Sequence, residues 1–143
     1  MLLNKEIVVE NRAGASTPVA VFDLSREQTQ ALADALGFYH RRRFAGGELD
    51  ADSALAMYAV AGVSDQLAPL AAAAAHSTVR LDVAGVGTLA EAVSLYLAER
   101  DIDAYQPSQE RTRLDLLRPL AEPLLDLVVE LREAERELAS RCR

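Results

Sequence analysis

Tryptophan is absent from this chain of 143 residues, and cysteine occurs once, near its end, as Cys142. A single cysteine cannot close a disulfide bond within the chain, so the small disulfide-stabilised proteins are excluded. The chain is also long enough to bury a core without disulfides or structural zinc. One unpaired cysteine is typical of a reducing compartment, and we therefore expect a cytoplasmic location.

Long apolar stretches and an excess of basic charge are also missing. The uncharged segment from Gln66 to Thr78 is shorter than the roughly 20 residues of a transmembrane helix, so no membrane span is predicted. Asn4, Lys5 and Glu6 directly follow two leucines, which does not fit a secretory signal. The net charge of -7 argues against a general attraction to nucleic acid or to anionic lipid. Arginine far outnumbers lysine and alanine is abundant, which is more typical of high-GC codon usage than of selection for bidentate recognition. We expect a bacterial protein.

An internal repeat is the most informative pattern in the sequence. When the chain is aligned with itself so that Leu32 meets Leu89, five of the twelve positions from Leu32 to Arg43 are identical. The identical positions are Leu32, Ala33, Ala35, Tyr39 and Arg43, which meet Leu89, Ala90, Ala92, Tyr96 and Arg100. The apolar pattern continues on both sides of this window without a gap. We therefore predict a duplication, with copies at residues 19–75 and 76–132.

Each copy has the pattern of a strand followed by two helices. Val19–Leu24 and Thr78–Val83 alternate apolar and β-branched residues, which predicts strands with one covered face. Ser25 and Asp82 are good N-caps for the first helix of each copy, because a short side-chain oxygen can accept from an unpaired amide of the first turn.

The second helix of each copy is predicted over about Asp52–Ala75 and from about Ser108 to the last residues. Gly62 and Pro119 fall at the same aligned position in these helices, and Pro123 follows one turn later. An interior proline removes a backbone hydrogen bond and clashes with the preceding turn, so we expect a kink or a break there.

A further strand at Glu6–Glu10, joined to the first copy by a loop over Asn11–Pro18, predicts an N-terminal hairpin. The predicted fold class is α+β and mostly helical: a tandem β-α-α repeat with pseudo-two-fold symmetry. A small antiparallel sheet of about three strands is covered by helices, and the C-terminal helix is long and kinked. The chain is predicted to be a single domain, 1–143, with residues 133–143 as a helical extension.

A candidate ligand site comes from the repeat. Tyr39 with Arg43, and Tyr96 with Arg100, are spaced four residues apart and share one face of each first helix. Two hydroxyls and two guanidinium groups around a two-fold axis would bind a carboxylate or a phosphate. The alternative is that each tyrosine lies at the margin of the core.

Three consecutive arginines, Arg41, Arg42 and Arg43, offer a candidate nucleic-acid site. The preceding segment resembles the first half of a helix-turn-helix, but Ala45, Gly46 and Gly47 would stop a recognition helix after about two turns. The simpler interpretation places the arginines in the last turn of a helix, where positive charge complements the helix dipole. Nucleic acid is therefore disfavoured as a partner.

Catalytic and metal sites have no specific support in the sequence. The acids of the segment around Asp50 do not complete a calcium loop, and His40 and His76 have no ligands at metal spacing. Gly85 and Gly87 lack the third glycine of a dinucleotide-binding turn. No catalytic residue, metal or cofactor is assigned.

The last predicted helix carries leucines seven residues apart, which form a short heptad seam. We assign Leu124, Leu131 and Leu138 to a candidate interface, because Leu131 and Leu138 have no counterpart in the first copy. The favoured function is a non-enzymatic interaction module that self-associates, as a homodimer or with a protein partner. The alternatives are a binder of an anionic small molecule or an enzyme with a site between the copies, and a nucleic-acid regulator.

Overall fold

The computed structural model describes residues 2–44, 51–73, 76–100 and 107–141. The elements in chain order are β1 (Leu3–Arg12), β2 (Ala15–Ser25), α1 (Arg26–Arg43), α2 (Ala51–Ala73), β3 (His76–Leu81), α3 (Val83–Arg100) and α4 (Ser108–Arg141). Over these described residues the chain is mostly helical, with four helices and one antiparallel sheet in the order β1-β2-β3. The predicted α+β class and the small three-stranded sheet with its N-terminal hairpin are confirmed.

The hairpin of β1 and β2 turns over only two residues. Ala13 and Gly14 have φ angles of 52° and 81°. Positive φ at both positions is typical of a type I′ turn, whose twist matches that of the flanking strands. The predicted loop over Asn11–Pro18 is wrong outside this turn, because β2 already begins at Ala15 and Ser16 pairs with β1.

The third strand lies antiparallel to β2, with Val79 opposite Phe22. The strand predicted at Thr78–Val83 is placed too late in the sequence, because Val83 is the first residue of α3. The strand ends before Asp82, whose side chain caps α3 instead of continuing the alternation.

Both predicted N-caps are confirmed. Ser25 Oγ accepts a hydrogen bond from the backbone amide of Gln28 at 3.1 Å, and the Gln28 side chain accepts one from the Ser25 amide at 2.9 Å. This reciprocal pair is a capping box. Asp82 Oδ1 accepts from the backbone amide of Gly85 at 2.9 Å at the start of α3.

The last helix, α4, runs without interruption from Ser108 to Arg141 and contains Pro119 and Pro123. The predicted break at Pro119 is wrong, and Gly62 likewise lies within α2 without ending it. Pro119 is exposed, while the opposite face of α4 is fully buried, so packing holds the helix together despite the lost hydrogen bonds. A kink without a break stays a prediction.

One hydrophobic cluster joins the inner face of the sheet to all four helices. Ala20, Phe22 and Leu24 enter it from β2, the central strand. The contribution of α4 is a stripe of fully buried leucines: Leu114, Leu117, Leu120, Leu124, Leu127 and Leu131. Because α4 contacts β2, α1 and α3, this stripe forms much of the interior.

Two helices of the described residues begin at positions that meet when the chain is aligned with itself so that Leu32 falls on Leu89. The first residues of α1 and α3, Arg26 and Val83, meet in that alignment.

Candidate functional site

Aromatic and arginine side chains fill the contact between α1 and α3. The rings of Phe38 and Tyr96 meet edge to face, with centroids 5.2 Å apart. The guanidinium carbons of Arg42 and Arg100 lie 5.7 Å and 5.1 Å from the centroid of Phe38. Phe38, which the sequence interpretation did not single out, is therefore central to this contact, and its place just before the arginine run was the available signal.

Tyr39 lies at the other side of the same helix pair. Its hydroxyl donates a hydrogen bond to Glu91 Oε2 at 2.5 Å, and the Arg43 guanidinium lies 5.9 Å from the ring centroid. Burial and the neighbouring Glu91 carboxylate raise the pKa of Tyr39 to about 12. Tyr39 therefore stays protonated at neutral pH and acts as a fixed hydrogen-bond donor between α1 and α3.

Tyr96 belongs to a four-residue polar network that joins α1, α3 and α4. Its hydroxyl donates to Glu110 Oε1 at 2.5 Å and accepts from Arg113 Nη1 at 3.0 Å. Arg113 also donates to Glu110 at 2.7 Å and, through Nε, to Asp34 at 3.0 Å. Burial and the bond to Glu110 raise the pKa of Tyr96 above its ordinary value. The network cross-links three helices through groups that satisfy one another.

The two Tyr-Arg pairs of the predicted anion site each line a cavity of the described part of the chain. Tyr39 and Arg43 line a cavity of about 290 Å³, and Tyr96 and Arg100 line another of about 260 Å³. The first cavity is also lined by Glu91 and Glu135, and the second by Asp34 and Glu110. These two cavities place each tyrosine with its own arginine and with carboxylates, and anion binding by the four residues stays a prediction.

A larger cavity of about 520 Å³ lies between the N-terminal parts of α1 and α4. Its lining includes Arg26, Gln30 and Asp34 from α1 and Gln109 and Arg113 from α4. Sequence reasoning missed it because the two helices are far apart in the chain and no motif marks either one. Arg113 is already bonded to Asp34 there, so the cavity offers no uncompensated positive charge from this residue.

The arginine run lies in the last turn of α1, as the simpler interpretation predicted. Arg42 forms an ion pair with Glu99 at 2.7 Å, and Arg43 lies over the rings of Tyr39 and Phe44. Arg41 lines the smaller of the two tyrosine cavities. Arg42 thus joins α1 to α3, while Arg43 lies over rings at the end of its own helix; nucleic-acid binding stays a prediction.

The leucines of the predicted C-terminal interface mostly pack within the protomer. Leu124 and Leu131 have no exposed surface, and Leu138 is half-buried. Lys5 of β1 pairs with Glu130 at 3.1 Å, which places the first strand beside this part of α4. The assignment of Leu124 and Leu131 to a partner surface is wrong, because the protomer's own elements cover them.

An uncovered apolar surface lies instead on α2. The inner side of this helix buries Val60, Val63 and Leu67, while Leu55 and Tyr58 are 71% and 83% exposed. We call the outer side the α2 face; its exposed members are Ala51, Ala54, Leu55, Tyr58, Ala61, Gly62, Asp65, Gln66 and Pro69. A mostly apolar helix normally lies within a core, whereas this one leaves Leu55 and Tyr58 uncovered.

Metal and membrane sites gain no support from the part of the chain that the structure describes. Within it, no group of three or more histidine, cysteine or acidic side chains is placed to hold a metal ion. None of its helices is both long enough and apolar enough to cross a membrane. Comparison with known protein families, with curated proteins and with solved structures found no match to this chain.

Proposed function

We propose that this protein is a non-enzymatic interaction module that self-associates through the α2 face. The observation that carries the proposal is the exposure of Leu55 and Tyr58 on a helix with almost no charge. Only Asp52 and Asp65 are charged among the 23 residues of α2, and neither is basic. Such a surface costs free energy in water, and a protein partner removes that cost by covering it.

The exposed side of α4 is a useful comparison within the same molecule. Its exposed residues include Arg111, Asp115, Arg118 and Glu122, and Arg118 forms an ion pair with Asp115 at 2.8 Å. That is the ordinary pattern of a helix with one solvated side. The α2 face lacks this pattern, so we expect it to be covered in the working state of the protein.

Tyrosine at the centre of the face supports a protein partner over a small molecule. Tyrosine and other aromatic residues are enriched in protein interfaces and often carry a large share of the binding energy. A second copy is the partner proposed here, because a two-fold contact uses one surface twice and needs no other component.

The oligomeric state tests this proposal. Size-exclusion chromatography with light scattering should give a dimer for the wild type and a monomer for Leu55→Glu, since a buried carboxylate at the interface is strongly unfavourable. Leu125→Glu is the matched control, because Leu125 is 52% exposed on α4 and lies outside the α2 face. It should remain dimeric. A wild type that is monomeric at all concentrations would contradict the proposal.

Small-molecule binding is a second candidate function, favoured by the cavity between the N-terminal parts of α1 and α4. Its volume of about 520 Å³ lies within the range of known ligand sites. A thermal-shift screen against metabolites tests it, because a ligand present at about a hundred times its Kd adds about 2.7 kcal/mol of stability. No shift with any compound would remove this candidate.

The finer fold prediction, a tandem duplication with pseudo-two-fold symmetry, is also proposed. It is supported by the aligned first residues of α1 and α3 and by the pairing of Phe22 with Val79, which occupy the same position in the two copies. The caps agree as well, since Ser25 and Asp82 each accept from the amide three residues later. A crystal structure in which residues 19–75 and 76–132 superimpose poorly would contradict it.

A cytoplasmic location is proposed from composition alone. The one cysteine, Cys142, fits a reducing compartment. Fractionation of the source cells should recover the protein with the cytoplasm, and recovery from another compartment would contradict the proposal.

A further inference from the structure

We propose that the cavity lined by Tyr39 and Arg43 binds a small zwitterion of the free amino acid type. The guanidinium groups of this cavity hold the carboxylate of the ligand, and its carboxylates hold the ammonium group. We call it the Tyr39 cavity. Binding there is independent of self-association, because none of the exposed members of the α2 face lines this cavity.

The Tyr39 cavity is lined by residues of all four helices. Its volume of about 290 Å³ lies just below the roughly 300–1,000 Å³ of sites for drug-sized ligands, so it suits a smaller molecule. Ala56 of α2 and Ala84 and Gly87 of α3 contribute little or no side chain to its walls. Apart from the adjoining residues and the backbone of α3, no described atom lies within 4 Å of the position that a Cβ would occupy at Gly87. A ligand can therefore lie against α3 at this glycine.

Two guanidinium groups and two carboxylates line the Tyr39 cavity. They belong to Arg43 of α1, Glu91 of α3, and Arg132 and Glu135 of α4. Their formal charges cancel, whereas the chain as a whole carries a charge of -7. A simple anion would increase that excess of negative charge, but a zwitterion adds no net charge. The lining therefore favours a ligand that carries both signs.

Arg132 and Glu135 are three residues apart on α4 but do not pair with each other. Arg118 and Asp115 have the same spacing and form an ion pair at 2.8 Å. In that pair the acidic residue comes first, which is the more favourable order on a helix, and for Arg132 and Glu135 the order is reversed. Within the part of the chain that the structure describes, neither of them forms an ion pair or a hydrogen bond. Both charged groups are therefore available to a ligand.

Arg43 and Tyr39 supply the opposite wall from α1. The guanidinium carbon of Arg43 lies 5.9 Å from the ring centroids of Tyr39 and Phe44, and no carboxylate of the described residues pairs with it. Arg43 and Arg132 can therefore donate to a ligand carboxylate, whose planar shape matches a guanidinium group. Tyr39 donates its proton to Glu91, so the hydroxyl oxygen and the Glu91 carboxylate can both accept from an ammonium group.

Three small compounds that differ in charge test the ligand class. L-Alanine carries an ammonium group and a carboxylate, propionate lacks the ammonium group, and ethylamine lacks the carboxylate. NMR titration of the isotope-labelled full chain should show L-alanine shifting the amide signals of Gly87 and Glu135. Its Kd should be lower than that of propionate or ethylamine by roughly tenfold or more, because each of these leaves charged groups of the cavity without a partner.

Each other outcome of the titration would overturn the proposal. Propionate binding as tightly as L-alanine would indicate an anion site, and ethylamine binding as tightly would indicate a cation site. Absence of L-alanine binding would remove the site altogether. None of these results bears on the dimer, which is measured separately.

Charge-matched variants of α4 test the position of the site. Arg132→Gln and Glu135→Gln should each weaken the binding of L-alanine by roughly tenfold or more. Arg136→Gln and Glu133→Gln remove the same charges from exposed positions outside the lining of the cavity, and they should bind as the wild type does. Equal effects of the variants and their controls would reflect overall charge and overturn the proposal.

Gly87→Leu tests the cavity itself. Leucine is a better helix former than glycine, so α3 should fold at least as well in the variant. The new side chain fills the open space at this position, and binding of L-alanine should be lost. Ser94→Leu, which adds the same side chain to an exposed position on α3, should bind L-alanine as the wild type does. Unchanged binding by Gly87→Leu would overturn the proposal.

Discussion

Two tyrosines at aligned positions in α1 and α3 have different hydrogen-bond partners. Tyr39 donates to Glu91 of α3, while Tyr96 bonds to both Glu110 and Arg113 of α4. The position in α2 that aligns with Arg113 is Ala56, so α2 supplies no equivalent cation to Tyr39. The repeated Tyr-Arg spacing was visible in the sequence, but these partners come from other elements and were not.

The raised pKa of Tyr39 predicts a loss of stability in alkali. An unfolded tyrosine ionises near pH 10, whereas Tyr39 in the folded protein keeps its proton until about pH 12. The unfolded state therefore releases its proton first, so the contribution is complete below pH 10 and is lost as the pH rises to 12. Phenylalanine has no ionisable group, so Tyr39→Phe should not show this loss of stability.

Urea unfolding of the wild type and of Tyr39→Phe at several pH values checks this prediction. The stability of the wild type relative to the variant should fall between pH 10 and pH 12 and stay constant below. Tyr96 is present in both proteins, so its own titration cancels. A difference that does not change with pH would contradict the raised pKa.

The hairpin turn predicts a stabilising substitution at Ala13. Its φ of 52° lies in the left-handed region, which costs an L-residue with a Cβ roughly 1–2 kcal/mol. Asparagine tolerates this region and is favoured before glycine in type I′ turns, so Ala13→Asn should raise the free energy of unfolding by about 0.5–1 kcal/mol.

Urea unfolding measures the effect of Ala13→Asn. Ala139→Asn is the control, because Ala139 is exposed within α4 and asparagine is a poorer helix former there. The control should lose stability. If both variants lose stability alike, the turn does not have the backbone conformation described.

At the scale of elements, the starts of the helices could be predicted more closely than the ends of the strands. Ser25 and Asp82 mark the helix starts because capping is a local interaction between residues three apart. The turn at Ala13 was missed, since the Gly, Ser, Thr and Pro content of that segment is equally typical of a long loop. The continuity of α4 was also missed, because the packing that holds Pro119 in a helix is not local.

The buried stripe of α4 predicts unequal costs for two leucines seven residues apart. Leu131 is fully buried, so Leu131→Ala should lower the free energy of unfolding by about 2–5 kcal/mol. Leu138 is half-buried, and Leu138→Ala should cost about 1 kcal/mol or less. Chemical unfolding measures the stability of the two variants. The protein concentration is chosen so that both have the same oligomeric state. Equal costs would indicate that Leu131 is not packed inside the protomer.

The network around Arg113 predicts that its ion pairs with Asp34 and Glu110 stabilise the fold more than the exposed pair of Arg118 and Asp115 does. Arg113→Met leaves Asp34 and Glu110 without their guanidinium partner and should cost about 1–2 kcal/mol. Arg118→Met breaks a more exposed pair with Asp115 and should change stability by about 0.5 kcal/mol or less. Thermal unfolding of both variants checks the difference. A cost for Arg118→Met as large as that for Arg113→Met would contradict the role of burial.

For the whole molecule, self-association could be proposed from the sequence, but the exposed apolar side of α2 could not be predicted from it. The heptad seam of Leu124 and Leu131 had the periodicity of an interface, but periodicity does not say whether the covering partner belongs to the same chain. The α2 face was missed because α2 has no polar side to contrast with its apolar one. Its exposure became visible only when α1 and α3 were seen to cover a single side.

The proposed self-association requires that the α2 face joins two copies of this chain. Sedimentation equilibrium of the wild type and of Tyr58→Glu over a range of concentrations tests this requirement. The wild type should approach twice the protomer mass of 15.5 kDa as concentration rises, and Tyr58→Glu should stay at one protomer mass. A wild type that remains at 15.5 kDa, or a Tyr58→Glu variant that associates equally well, would contradict the claim.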